Sequence, residues 1–146
     1  MDWNQMRARC SSARFCGVAV LRDHRLAFTR CSPKRGCGVA DALPNIGSEV
    51  WGVVYEIDDQ DVGSLDASEG YWPGRENNAY RRETRHVYLD GNQDKPMAAE
   101  IYFANAQDNP PLPDHAYKEQ ILSGAKHWHL PAYYIADVLE HIEVKD

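Results

Sequence analysis

The run EVWGVVYEI, residues 49–57, is the most apolar segment of the chain and constrains the fold most strongly. Its β-branched and aromatic residues predict a strand in the centre of a sheet. Two further strand-like runs precede it, FCGVAVLR at residues 15–22 and RLAFTR at residues 25–30. The glycine- and proline-punctuated segment CSPKRGCGVADALPNIG, residues 31–47, predicts a long connection between these runs.

Side chains that alternate strictly between two faces after residue 79 predict a second pair of strands. In AYRRETRHVYL one face carries Tyr80, Arg82, Thr84, His86 and Tyr88, and the other carries Arg81, Glu83, Arg85, Val87 and Leu89. Asp90-Gly91 is a hairpin signal, and AAEIYFAN, residues 98–105, is the expected partner strand. The two strands therefore predict an antiparallel pairing.

Helix signals stand at both ends of the chain and in its middle. Asp2 caps a short first helix with Gln5 three residues on, and residues 59–69 form a helix that ends before Gly70. Asp114 caps a later helix, and Pro131 opens the last one. Strands dominate the first two-thirds and helices the end, which predicts an α+β domain with a largely antiparallel sheet.

Composition narrows the class of protein and its partners. The chain has 146 residues, which suits a single domain spanning residues 1–146. A net charge of −6 argues against nucleic acid and acidic membranes as partners, and no apolar run approaches the roughly 20 residues that span a bilayer. The four cysteines form no C-x-x-C pair, so we expect reduced thiols and a cytoplasmic location.

Glu69 stands where an apolar residue is expected. On a helix it lies about 20° from Val62, on the apolar face that Leu65 shares. It also lies at the negative end of the helix dipole, which disfavours a carboxylate. Either the helix end frays and Glu69 reaches water, or the carboxylate faces an apolar cavity. In the second case burial raises its pKa towards neutrality, where it can take and return a proton.

The other candidate site residues are Tyr80, Tyr102, Tyr117 and Arg82. Each tyrosine lies near a loop or the start of an element and could donate a hydrogen bond to a polar substrate, although packing with a wet hydroxyl explains any one of them. Alternation separates Arg82 from Arg81 and Arg85, so it alone could pair with a substrate carboxylate. His127 and His129 have no third ligand at a recognisable spacing, so we predict no metal site.

Three ordered stretches resemble the γ-glutamylcyclotransferase family and its AIG2-like relatives. EVWGVVYEID followed by SLDASEG resembles one strand and helix of the family, and AYRRETRHV resembles the next strand. PDHAYKEQILSGAKHWHLPAYYI resembles the C-terminal signature, with Tyr117, Ile121, Gly124-Ala125 and Leu130-Pro131 at the matching positions. The similarity runs in order over nearly the whole chain.

The resemblance implies a small crumpled β-barrel with flanking helices, and an enzyme that acts on small γ-glutamyl compounds. In this family the α-amine of the substrate attacks its own γ-carbonyl, which gives 5-oxoproline and a free amine or amino acid. The glutamate of the E-G pair is the family's general acid and base, and in this sequence it is Glu69. Ring closure within one substrate needs no metal or organic cofactor.

The sequence departs from the family at its beginning, because the family's first strand and its Y-G-S-N-type loop are missing. The resemblance implies that this loop supplies backbone donors to the developing oxyanion, so we expect its loss to lower activity, and an open barrel edge could lead to a homodimer or to aggregation. Either Met1 is an internal methionine of a longer chain, or the chain is truly short. The alternatives to a cyclotransferase are a non-catalytic small-molecule-binding or interaction protein on the same scaffold, and another amide-cleaving activity.

Overall fold

A long bent hairpin, strands β1 (Arg14–Ser32) and β2 (Cys37–Glu56), dominates the structure, a computed structural model that describes residues 1–146. Three register shifts, near residues 16, 23 and 29, bend the hairpin. The prediction of a long connection over residues 31–47 was wrong, because only residues 33–36 form a turn. Pairing with β1 overrides the weak strand preference of this segment.

The second hairpin consists of β3 (Tyr80–Leu89) and β4 (Pro96–Ala104). These strands pair without a register shift from Tyr80 opposite Ala104 to Tyr88 opposite Pro96. The hairpins join where Ala19 and Val20 of β1 pair with β3. All pairs are antiparallel and the strand order is β2-β1-β3-β4. The predicted α+β class with an antiparallel sheet is confirmed.

The sheet is open, whereas the family resemblance implied a barrel. Strands β2 and β4 lie at its two edges and share no ladder of backbone hydrogen bonds. One buried side chain bridges this gap: Asp41 of β2 accepts a hydrogen bond from the backbone N–H of Ala104 in β4 at 3.0 Å. Its carboxylate also accepts from the Thr29 hydroxyl at 2.7 Å and from the N–H of Ala42 at 2.8 Å.

Four helices flank the sheet: α1 (Trp3–Arg9), α2 (Asp59–Ser68), α3 (His115–His127) and α4 (Ala132–Tyr134), which continues into a π-helical segment, Ile135–Leu139. The predicted caps are confirmed, since Asp2 accepts from the N–H of Gln5 and Asp114 accepts from the N–H of Tyr117. The helix predicted after Pro131 is shorter and wider than expected. None of the helices has the length and apolar character needed to cross a membrane.

The core lies on both faces of the sheet. The larger cluster joins Val20 and Trp51 to the C-terminal helices through Leu122, Ala125, Leu130, Tyr134, Leu139 and Ile142. The smaller cluster consists of Ala19, Leu21, Val87 and Phe103. Because Val20 and its neighbours Ala19 and Leu21 point to opposite faces, β1 anchors both clusters. This arrangement places the ends of α1, α2 and α3 around the more polar of two neighbouring cavities, hereafter the polar cavity.

Candidate active site

The polar cavity has a volume of about 620 Å³ and opens beside the bent hairpin. Four of the five predicted site residues line it, namely Glu69, Tyr80, Tyr102 and Tyr117. They come from the end of α2, the two strands of the second hairpin and the first turn of α3. The cavity is large enough for a small polar molecule.

Glu69 occupies the C-cap of α2, and the last helical turn is hydrogen-bonded there. Its backbone N–H donates to the carbonyl oxygens of Leu65 and Asp66 at 3.0 and 3.1 Å. Gly70 follows with φ 70°, the left-handed conformation that favours glycine. The Glu69 side chain is only 25% exposed, so the cavity-facing interpretation agrees with the structure and the solvated one does not.

Burial shifts the pKa of the Glu69 carboxyl in one direction, and two nearby cations, the Arg9 guanidinium and the Met1 ammonium, shift it in the other. Burial raises its pKa above the ordinary glutamate value, because the charged form loses hydration. The Arg9 guanidinium donates to Oε1 at 3.1 Å and lowers the same pKa. Burial is the larger effect, so Glu69 gains a proton more readily than a glutamate in water.

Tyr80 and Tyr117 both bind the backbone of one residue, Ala40, in the edge strand β2. The Tyr117 hydroxyl accepts from the N–H of Ala40 at 3.1 Å, and the Tyr80 hydroxyl donates to the Ala40 carbonyl at 3.4 Å. Burial raises the pKa of both phenols, so both stay protonated. Since Tyr117 only accepts from the protein, its own proton is free to bind a group in the cavity.

Tyr102 and Arg82 converge on a buried acid that the sequence analysis missed. Asp66, which is 4% exposed, accepts from the Tyr102 hydroxyl and from Arg82, whose Nη1 lies 3.0 and 3.1 Å from its two oxygens. Arg82 also lies 3.6 Å from Glu100. It does not line the polar cavity but a neighbouring, mostly apolar one of about 630 Å³. Its predicted pairing with a substrate carboxylate stays a prediction, and its partner in the protein is Asp66.

Further polar residues of the cavity were also missed, among them Arg9 and Arg35. Asp66 lies three residues before Glu69 on α2, a spacing that could have indicated a shared helix face. The neighbouring residues in the sequence do not indicate that Arg9 and Arg35 reach the cavity. The docking of α1 places Arg9 there, and the turn of the first hairpin places Arg35. His127 and His129 belong to no group of three side chains that could hold a metal ion.

Comparison with known proteins gives consistent results. Residues 49–138 match the model of the AIG2-like family. The gamma-glutamylcyclotransferase of Mus musculus is 32% identical over 135 residues, which cover 89% of this chain and 68% of that protein. The Homo sapiens protein of the same name is 31% identical over 147 residues, covering 97% and 73% respectively.

Solved structures extend the likeness to the fold. A structure titled "Gamma-glutamyl cyclotransferase" superposes with a TM-score of 0.86 at 29% identity, and the match covers 98% of this chain and 82% of that one. The sequence similarity and the superposition of the fold therefore agree. The chain belongs to the AIG2-like family, which it shares with the gamma-glutamylcyclotransferases.

Proposed function

We propose that residues 1–146 form a single γ-glutamylcyclotransferase domain that releases 5-oxoproline and an amine or amino acid from small γ-glutamyl compounds. The observation that carries this proposal is the placement of Glu69. Its carboxyl lines the polar cavity, its pKa is raised by burial, and three tyrosines line the same cavity. The similarity to gamma-glutamylcyclotransferases supports the same reaction.

The chemistry needs one group that first accepts and then donates a proton. The Glu69 carboxylate takes a proton from the substrate α-ammonium, and the freed amine attacks the γ-carbonyl carbon. A new C–N bond closes the five-membered ring, and Glu69 passes its proton to the leaving nitrogen as the bond to that nitrogen breaks. The ring nitrogen then loses its second proton, which the released amine takes up, so the products are the neutral lactam and an ammonium group. No proton is gained or lost over the cycle. The raised pKa suits both halves of this transfer.

Tyr117 supports the developing oxyanion in this proposal. Its hydroxyl proton is not used within the protein, and its raised pKa keeps that proton in place. A neutral donor aimed at the substrate carbonyl would stabilise the negative charge on oxygen in the transition state. Tyr80 and Tyr102 position the site instead, because their hydroxyls already donate to Ala40 and Asp66.

A second candidate function is a non-catalytic protein that binds small molecules at the same cavity. The ion pair between Arg9 and Glu69 is the observation that favours it. A carboxylate paired with a guanidinium is a weaker base, and it can hold a substrate ammonium without removing its proton. Ligand binding would then raise the melting temperature without any product.

The deciding experiment is to measure 5-oxoproline release by mass spectrometry from a panel of γ-glutamyl amino acids and γ-glutamyl amines. The protein is compared with the Glu69→Gln variant, which keeps the shape of the side chain but cannot accept the proton. We expect product from the protein and at least a 10²-fold lower rate from the variant, with an unchanged circular dichroism spectrum. Equal rates in the two proteins would exclude Glu69 as the acid and base.

Two further proposals concern the location of the protein in the cell and its oligomeric state. All four cysteines are free thiols, which supports our proposal of a reducing, cytoplasmic environment. Cell fractionation tests this location.

The open edges of the sheet are the feature that would allow a homodimer, and light scattering at several protein concentrations tests for it.

A further inference from the structure

Three guanidinium groups line the polar cavity, and they differ in what they bind within the protein. Arg9 is paired with Glu69 at 3.1 Å, and Arg30 donates to the backbone carbonyl of Asn105 at 3.0 Å. Arg35 makes neither an ion pair nor a side-chain hydrogen bond to a backbone carbonyl. Its charge therefore lies in the cavity wall without an acidic partner.

The turn of the first hairpin holds Arg35 in this position. Pro33, Lys34 and Gly36 are exposed, whereas Arg35 is half-buried and its guanidinium lies 4.5 Å from the centre of the Tyr117 ring. The backbone N–H of Arg35 donates to the Ser32 hydroxyl at 3.2 Å. Lys145 donates to the Gly36 carbonyl at 2.7 Å, which fastens the turn from outside. A side chain held this way loses little freedom when it binds a ligand.

Arg35 also approaches Arg9 across a single neutral side chain. When the Gln5 amide is turned so that its oxygen faces the guanidiniums, this oxygen accepts from Arg35 at 3.1 Å and from Arg9 at 3.3 Å. Two positive charges thus share one uncharged acceptor. A carboxylate that replaced this amide would gain charge-assisted hydrogen bonds from one or both arginines.

We propose that Arg35, on the side of the cavity shared with Arg9 and Gln5, binds a carboxylate of the substrate. This inference rests on the proposed function. A γ-glutamyl amino acid has two candidate carboxylates, one on the glutamyl half and one on the leaving amino acid. A γ-glutamyl amine has only the first. The planar fork of Arg35 suits either group.

The test uses two probes that lack the α-amine and cannot cyclise. Glutaryl-alanine carries both carboxylates, and N-ethylglutaramate carries only the carboxylate that corresponds to the glutamyl half. Their affinities are measured by calorimetry with the wild-type protein and with Arg35→Gln, Arg35→Lys and Lys34→Gln. Lys34 is the matched control, because it is the neighbouring cation on the same turn and is exposed.

We expect Arg35→Gln to weaken the binding of glutaryl-alanine about ten-fold or more, Arg35→Lys to weaken it less, and Lys34→Gln to change it by less than about two-fold. An equal loss with N-ethylglutaramate assigns Arg35 to the glutamyl carboxylate. A loss with glutaryl-alanine alone assigns it to the leaving amino acid. Melting temperatures of the variants show whether each protein is folded.

The proposal is overturned if Arg35→Gln binds both probes as the wild type does, if Lys34→Gln loses as much affinity as Arg35→Gln, or if the wild type binds neither probe at millimolar concentration. Its failure is distinct from failure of the proposed reaction. If the protein releases 5-oxoproline but its affinity for the probes does not depend on Arg35, only the carboxylate site is refuted. If probe binding depends on Arg35 but no 5-oxoproline is released, only the proposed reaction is refuted.

Discussion

The ion pair between Glu69 and Arg9 predicts a measurable pH dependence. A general base acts only when deprotonated, so kcat/KM should rise with pH through the pKa of Glu69, which burial places above the ordinary glutamate value. Arg9 lowers this pKa by favouring the carboxylate. Replacing Arg9 with glutamine removes that cation, so the pKa of Glu69 rises. The acidic limb of the profile of kcat/KM against pH should therefore move to higher pH.

Rates of 5-oxoproline release from about pH 4 to about pH 9 would measure this limb in both proteins. Arg7→Gln serves as the control, because Arg7 belongs to the same helix and is exposed. We expect the control to keep the wild-type profile. A limb that stays in place in Arg9→Gln would contradict the assignment of Glu69 as the base.

The free proton of the Tyr117 hydroxyl leads to a second prediction. Tyr117→Phe removes the proposed oxyanion donor and should lower kcat by about 10²-fold. It also leaves the N–H of Ala40 without its acceptor, which should cost about 1 kcal/mol of unfolding free energy. Tyr133→Phe is the control, because Tyr133 is 53% exposed and does not line the cavity. Equal kcat in Tyr117→Phe and the wild type would refute the role.

The C-terminus of α2 sets the position of Glu69. We expect alanine substitutions of two glycines in this region, Gly63 and Gly70, to have opposite effects on stability. A Cβ on Gly70 would lie 2.9 Å from the Cβ of Ala79, at a residue with φ 70°. Gly70→Ala should therefore lower the unfolding free energy by about 1–2 kcal/mol and also lower the rate. A Cβ on Gly63, inside the same helix, meets no atom within 4 Å.

Gly63→Ala should accordingly raise the unfolding free energy by up to about 1 kcal/mol, because alanine favours helix more than glycine does. Urea denaturation followed by circular dichroism measures both variants. The prediction is wrong if the two substitutions change stability in the same direction.

Local signals in the sequence were sufficient for the elements that carry the site. The aspartate caps, the Gly70 stop and the alternation of Tyr80 and Arg82 all describe neighbours in the chain, and each is found in the structure. The placement of Glu69 followed from helix periodicity in the same way. Such features depend on a few adjacent residues, so a single sequence can reveal them.

Features that depend on distant residues escaped prediction. The segment 37–44 is strand because β1 pairs with it, although its glycine and proline resemble a loop. Gly38, for example, fits because a Cβ there would lie 2.1 Å from the carbonyl oxygen of Pro111. The partners of Arg82 and the approach of Arg35 to Tyr117 likewise come from docking of separate elements. No nearby residue encodes these contacts.

Considered as a unit, the sheet depends on Asp41 to join its two edges. This carboxylate accepts three hydrogen bonds, from Thr29, Ala42 and Ala104, and is 6% exposed. Asp41→Ala leaves two buried donors, on Thr29 and Ala104, and the half-buried N–H of Ala42 without an acceptor, and it should lower the unfolding free energy by about 3 kcal/mol or more. Asp108→Ala, at an exposed position, should change it by less than about 0.5 kcal/mol.

Chemical denaturation measures both aspartate variants, and hydrogen exchange localises the effect. We expect faster exchange in β2 and β4 of Asp41→Ala, because the two edges are no longer joined. Wild-type stability in this variant would show that the edges stay together without the carboxylate.

The fastened turn that carries Arg35 has a consequence for the kinetics of capture. The Gly36 N–H donates to the Ser32 carbonyl at 2.7 Å, and Lys145 of the C-terminal segment donates to the Gly36 carbonyl. The Arg35 guanidinium is therefore positioned before a ligand binds. No segment has to fold over the ligand for this contact to form. Encounter with an anionic ligand is then a single diffusive step, whose frequency rises in proportion to the ligand concentration and falls as salt screens the charge.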